Sequence, residues 1–273
     1  MILPRQHLYA KINSYMLMLL HKLQKEITFL YTLYVRKITP VVIFTPGRVG
    51  SMALHACLLK AGVFVFKLEF LDIGNSGAAH FIIKHVFKKQ RQARIITIVR
   101  DPVTMMITYF FSKASAGHLA EAHDAWKNKD VAKLQTLFIR DILMSERLDS
   151  HLYWYERDFF RATKIDVFAY PFDTEKKSTI ISHDLYPILI LRTEMDDEVK
   201  SSLVSQFLSI SPFTLTRENT RSEKADKELY EVFKRTLSVP PPLLEKIYTA
   251  KLCQHFFSTD ELEKLKLQWA SPQ

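Results

Sequence analysis

The sequence predicts an α/β fold: an open, mainly parallel sheet flanked by helices, with helical extensions at both ends. Three observations carry this. Short apolar runs recur at 40–45, 63–68, 79–84, 93–99, 165–170 and 186–192, and several are continuously apolar, as strands covered on both faces are. The segments between them have helical spacing, notably SMALHACLLKA after the first run and PVTMMITYFFSKA after the fourth. The last part, 218–273, has no strand pattern; Pro240-Pro241-Pro242 divides it into helices near 222–237, 243–252 and 259–270.

Each element follows from its residues. PVVIFT at 40–45 opens the sheet, and Gly62 closes the first helix as a C′ residue. The charged, Leu-bearing stretch from Glu121 to Phe160 reads as two helices inserted between strands. Upstream, Ser14 to Val35 is rich in apolar residues, but His21, Lys22, Lys25 and Glu26 interrupt it, so a spanning helix is not expected. No short apolar core leads to a small-residue cleavage site, so a secretory leader is not expected either. Residues 1–38 read as an amphipathic helical segment packed on the core. A peripheral membrane contact, with Lys11 and Lys22 on the polar side, is its alternative role. Residues 39–273 read as one α/β domain.

Composition narrows the chemistry. A chain of 273 residues, 48% hydrophobic and 25% charged, is neither disordered nor fibrous. Its net charge of +9 points to an anionic partner. Nucleic acid is disfavoured, because the basic residues are dispersed and no recognised reading module appears. Cys57 and Cys253 form no disulfide framework and no metal-ligand spacing, so a reducing, cytoplasmic location and a metal-free site are expected, with both cysteines in the core.

Two strand-to-helix junctions carry the functional signal. In TPGRVGSM, a turn leads from a buried strand into a helix, whose first N–H groups form an anion site. Gly47 and Gly50 let backbone approach a phosphate, Arg48 adds charge and Ser51 a hydroxyl; the N–H groups of Val49 to Met52 complete the cradle. The pattern is not GxxxxGK[ST], which requires Lys before the Ser. Glycines are common at such turns, so a second element is needed. In IITIVRDPVTMMITYFF, residues 95–111, Arg100 ends a strand, Pro102 suits a first helical turn, and Thr108 falls about two turns on. An Arg and a hydroxyl so placed can grip one phosphate.

Together these junctions resemble the sulfotransferases that use 3′-phosphoadenosine-5′-phosphosulfate. That family binds the 5′-phosphosulfate with a strand-loop-helix of the form P-[KR]-x-G-[ST]. PGRVGS is similar to it, with Gly47 inserted and Arg48 at the basic position. The family binds the 3′-phosphate with a strand-ending Arg and a Ser eight residues on; Arg100 and Thr108 match, followed by the aromatic pair Tyr109-Phe110. Lys84-His85 resembles the family's basic residue and His, one residue shorter than the commonest version, and Glu194 stands where the family's later strand ends in an acidic residue. VFAYPFD at 167–173, ENTRSEKADKELYEVFK at 218–234 and IYTAKLCQHFFSTDELEKL at 247–265 resemble a bacterial branch of capsular-polysaccharide-synthesis proteins.

The resemblance implies a P-loop NTPase-like sulfotransferase fold and sulfuryl transfer from the nucleotide donor to a hydroxyl of a glycan or small molecule. It assigns Gly47, Arg48, Val49, Gly50, Ser51 and Met52 to the phosphosulfate, Arg100 and Thr108 to the 3′-phosphate, and Arg221 and Lys224 to the adenosine or 3′-phosphate. Arg48 would stabilise the leaving oxygen electrostatically, since Arg cannot donate a proton. His85 is the first choice of base and Lys84 an added charge; His80, Glu69 and Asp72 are rivals. A hydrogen-bonded His at a strand end, a solvated Lys and a structural Glu194 are the plainer readings. A P-loop kinase or NTPase, and a nucleotide-binding protein without turnover, are the alternatives.

Overall fold

The structure, a computed structural model, describes residues 26–71, 78–216 and 226–271, together with Met16, Leu23 and Gln24. Arg221 and Lys224, candidate nucleotide contacts, and Asp72, a candidate base, lie outside the described residues, as does most of 1–25.

Helix α1, described over 26–35, ends in one wide turn, Tyr31–Val35. The chain continues through β1 (Val41–Phe44), α2 (Ser51–Lys60), β2 (Val65–Leu68) and α3, which runs from Ala78–Ile82 into the wider turns of Ile83–Phe87. Strand β3 (Arg94–Val99) leads to α4 (Pro102–Ser115), then α5 (Ala120–Lys127), α6 (Val131–Phe138) and α7 (Glu146–Leu152). After the short α8 (Phe160–Thr163), β4 (Ser178–Ile181) and β5 (Ile188–Arg192) complete the sheet. Helices α9 (Asp197–Leu208), α10 (Lys227–Thr236), α11 (Pro241–Tyr248), α12 (Lys251–Phe256) and α13 (Thr259–Ala270) follow.

The sheet order is β2-β1-β3-β5-β4. The first four pair in parallel, with Val41 opposite both Val65 and Arg94 and Ile95 opposite Ile188; β4 joins β5 antiparallel, Ser178 opposite Leu191. All of β1 and β5 is buried, and helices cover the sheet, so the continuously apolar runs are explained. From β1 the chain crosses to β2 on one side; from β3 it moves to the other side. The loops after β1 and β3 therefore diverge and leave a crevice between their carboxyl ends, the ligand position of open α/β sheets.

Two expected strands need correction, and one strand was not expected. The run at 79–84 is helical: β2 and β3 are both parallel to β1, so the chain must cross over between them, usually by a helix, and Ala78–Phe87 supplies it. Phe81, Ile82, Val86 and Phe87 recur at helical spacing and are buried. The run at 165–170 is a single tight turn, Val167–Ala169, started by the Asp166 carboxylate accepting from the Phe168 N–H at 3.0 Å. Phe168 meets Phe256 and His255 on α12 instead of neighbouring strands. The unpredicted strand β4 is an edge, its Ile180 exposed, so its sequence STII lacks the pattern of a buried strand.

Elsewhere the expectation holds with local adjustment. Pro241 occupies the first position of α11, where its missing N–H costs nothing, so that helix starts two residues before 243 and gives way to α12 at Ala250. The stretch from Glu121 to Phe160 holds α5, α6 and α7 rather than two helices. Gly62 does follow α2 with φ 72°. Cys57 and Cys253 are buried and unpaired.

Candidate active site

The loop after β1 is held in an uncommon backbone shape. Gly47, Arg48 and Gly50 all have positive φ, 84°, 56° and 82°. Glycine takes this conformation freely; Arg48 takes it at a cost of about 1–2 kcal/mol. At Gly47 the reason is also spatial, since a Cβ there would sit 3.1 Å from Glu69 Oε2. Gly50 is the N-cap of α2, and no side chain caps that helix. Its first N–H groups therefore remain available at the positive end of the helix dipole.

Arg100, immediately after β3, reaches across to this loop. Its Nη1 donates to the Arg48 carbonyl at 2.8 Å and to Thr108 Oγ1 at 3.3 Å. Thr108 Oγ1 in turn donates to the Thr104 carbonyl at 3.0 Å and lies 3.4 Å from the Tyr230 hydroxyl of α10. Arg100 thus joins the loop that carries Gly47, Arg48, Val49, Gly50, Ser51 and Met52 to Thr108 of α4 at the carboxyl ends of β1 and β3.

Buried polar contacts fix the Arg100 turn. Asp101, 3% exposed, caps α4: its Oδ2 accepts from the Thr104 N–H at 2.9 Å and hydroxyl at 2.6 Å. Its Oδ1 accepts from the Tyr248 hydroxyl at 2.8 Å. Burial, and then the adjacent Asp101 charge, push the Tyr248 phenol far up, so it stays a donor. Glu194 accepts from the Asp101 N–H at 3.4 Å and from Arg192 Nε at 3.2 Å. Arg192, buried at the end of β5, also donates to both carboxylate oxygens of Glu261 at 2.8 Å and lies 4.0 Å from the Phe257 ring centre. Glu194 is a brace for the turn. Thr193 braces the other loop, donating to the Val49 carbonyl at 3.1 Å.

The remaining wall comes from β2, α4 and α7. Glu69 pairs with Lys67, Oε1 to Nζ 2.6 Å, and its backbone carbonyl accepts from Trp154 Nε1 at 2.6 Å. His151, 6% exposed, contacts Phe70 and Tyr109 by ring edges. Its Nδ1 is 2.8 Å from the Arg147 carbonyl, which can only accept, so Nδ1 carries the proton and Nε2 the lone pair. Burial lowers its pKa; the Arg147 carbonyl and Glu69 oppose this, while Arg147 and Arg48 add to it. Arg147 hydrogen-bonds the Tyr109 hydroxyl, and Lys113 Nζ stands 5.7 Å from that ring centre. Among the described residues, Arg48, Arg147 and Lys113 have no carboxylate partner.

Residues 124–258 match the family described as "Putative capsular polysaccharide synthesis protein". No curated protein and no solved structure matches the chain. The matched stretch contains Arg147, His151, Arg192, Glu194, Tyr230 and Tyr248, but neither the Arg48 loop nor Arg100. It is compatible with a transferase acting on glycans.

Lys84 and His85 do not join this site. They lie on the last turns of α3, and His85 Nδ1 is 3.1 Å from the Tyr34 hydroxyl of α1. Arg91, just beyond, stacks 4.0 Å from the centre of the Tyr34 ring. This is the amino edge of the sheet. The six residues of β3, at about 3.3 Å each, put about 20 Å between it and Arg100. A base must reach its proton directly or through one water, and His85 stands too far from the Arg48 loop and Arg100 for that, whereas Glu69 and His151 lie beside the loop. His80 also lies on α3 and is exposed. The sequence reading missed Lys67, Arg147, His151, Thr193, Tyr230 and Tyr248, because none belongs to a local motif. Only the bracketing of Arg147 and His151 at one helical turn hinted at a shared face.

Proposed function

We propose that the protein transfers a sulfuryl group from 3′-phosphoadenosine-5′-phosphosulfate to a hydroxyl of an anionic glycan. The observation that carries the reading is the double donation of Arg100 Nη1 to the Arg48 carbonyl and to Thr108. It joins the helix-terminus cradle and the Arg/Thr pair in one crevice, as a nucleotide phosphorylated at both ends requires. The matched capsular-polysaccharide family supports a glycan acceptor, and Arg147 and Lys113, without carboxylate partners beside the half-buried Tyr109 ring, support an anionic one.

The donor, when bound, supplies an activated sulfuryl group. The N–H groups of Val49 to Met52 and the Ser51 hydroxyl hold its phosphosulfate end, while Arg100 and Thr108 hold the 3′-phosphate. As the acceptor oxygen bonds to sulfur, the bond from sulfur to the 5′-phosphate oxygen breaks, and Arg48 meets the charge left on that oxygen. Glu69, against Gly47 and oriented by Lys67 and Trp154, takes the acceptor's proton. His151 Nε2, held neutral, is the second acceptor for that proton. Arg221 and Lys224 are proposed nucleotide contacts on the resemblance alone.

Calorimetry with adenosine 3′,5′-bisphosphate, ATP and AMP tests the reading. Preference for the bisphosphate, lost in Arg100→Ala, is expected; equal binding of AMP overturns it. Metal-dependent ATP hydrolysis would favour a kinase or NTPase instead.

A further inference from the structure

The amino edge of the sheet carries a surface that sulfuryl transfer does not use. Helix α1 packs one side on the core, with Phe29 against Phe64, Phe66 and Phe81 and Leu33 buried beside it. Its other side is also apolar. Leu23, Ile27, Tyr31 and Val35 recur every fourth residue, 53–64% exposed. An amphipathic helix of a soluble domain would present polar residues there. A contiguous apolar stripe of this kind marks an interaction surface.

The stripe is framed by cations. Arg36 and Lys37 follow α1 directly, and Lys84, Lys88 and Lys89 stand exposed at the end of α3. The two helices are tied by the Tyr34 hydroxyl at His85 Nδ1 and by Arg91 over the Tyr34 ring. None of these five cations has a carboxylate within ion-pair distance among the described residues. Glu26 is the acidic side chain felt by His85, alongside Lys84 and Lys89.

We propose that this edge binds the surface of a bilayer containing anionic lipids. Leu23, Ile27 and Val35 enter the acyl boundary, Tyr31 sits at headgroup level, and the five cations face the lipid phosphates. No helix among the described residues is long and apolar enough to cross a membrane, so the contact is interfacial. A protein partner would bury the apolar stripe without needing the ring of unpaired cations; charge complementarity selects the anionic surface. Since Arg48 and Arg100 lie at the opposite edge, the bound protein keeps its crevice open to water.

Cosedimentation of the full chain with vesicles tests this. Binding to phosphatidylcholine vesicles containing phosphatidylglycerol is expected, with little binding to phosphatidylcholine alone, and added salt should weaken it. The Ile27→Asp/Tyr31→Asp variant should bind at least about tenfold more weakly, and Lys88→Glu/Lys89→Glu should lose most of the preference for anionic vesicles. If the first variant unfolds by circular dichroism, the second and Tyr31→Ser carry the test, since they leave the packed face of α1 intact. Equal binding to both vesicle types, no binding, or unchanged binding of the variants overturns the proposal. So does a dimer in sedimentation equilibrium that Ile27→Asp dissociates, which would give the stripe to a second copy.

Discussion

Arg100 donates from a single nitrogen to the Arg48 backbone carbonyl at 2.8 Å, so the turn after β3 physically holds the loop after β1. The same nitrogen meets Thr108 at 3.3 Å. The planar guanidinium keeps its other donors in a fixed fork that can address a phosphate while the bridge stands.

Arg100→Lys should therefore behave nearly as badly as Arg100→Ala, despite keeping the charge. A charge-assisted hydrogen bond contributes about 2 kcal/mol, so loss of roughly thirtyfold in affinity for adenosine 3′,5′-bisphosphate is expected by calorimetry. Full affinity in Arg100→Lys would mean that only charge matters at this position.

Gly47 and Gly50 should differ. Both have positive φ, but a Cβ at Gly50 meets open space, whereas one at Gly47 presses on Glu69. Gly50→Ala should destabilise by about 1 kcal/mol in urea unfolding. Gly47→Ala should cost more and also lower turnover, by displacing the Glu69 carboxylate. Arg48→Gly should do the reverse to stability, raising it by up to about 1 kcal/mol because Gly takes φ 56° without the cost that Arg48 bears, while abolishing the proposed transfer.

Tyr248→Phe leaves Asp101 Oδ1 buried without its donor. A destabilisation of about 1–3 kcal/mol is expected from thermal or urea melts. Because Asp101 sets the start of α4, nucleotide affinity should fall as well. Unchanged affinity in a destabilised variant would separate the brace from the site.

The buried imidazole of His151 has a lowered pKa, chiefly through burial. The folded protein then favours its neutral form. Its contribution to stability is complete above the unfolded value near 6.5 and is lost as pH falls through the lower folded value. His55, His85 and His255 shift the same way, burial being the largest cause in each. Melting temperature should drop below about pH 6.5, and His151→Asn, which keeps a donor for the Arg147 carbonyl, should make the drop shallower. An unchanged profile would remove His151 from the account.

Arg147→Ala should weaken a polyuronate acceptor without altering adenosine 3′,5′-bisphosphate binding, since Arg147 is bonded to Tyr109 rather than to Arg100. Competition with neutral dextran gives the control. Equal loss for both polymers would contradict an anionic acceptor.

Local sequence determined the elements whose signals are local. The PVVIF and RIITIV runs form β1 and β3 because unbroken β-branched residues suit strands covered on both faces, and PGRVGS and RDP turn because Gly and Pro set their own backbone angles. HFIIKHVF became a helix because the parallel arrangement of β2 and β3 demands a crossover, a demand that no window of eight residues contains. Likewise STII is a strand only because β5 offers it an edge. The partners of the crevice were decided by tertiary structure: Glu69 meets Gly47, Tyr248 meets Asp101, and His151 feels Arg48 across wide stretches of chain. Backbone preference acts over neighbouring residues, whereas burial and Coulomb forces act through space, so chemistry shared between distant segments appears only once the sheet has brought their ends together.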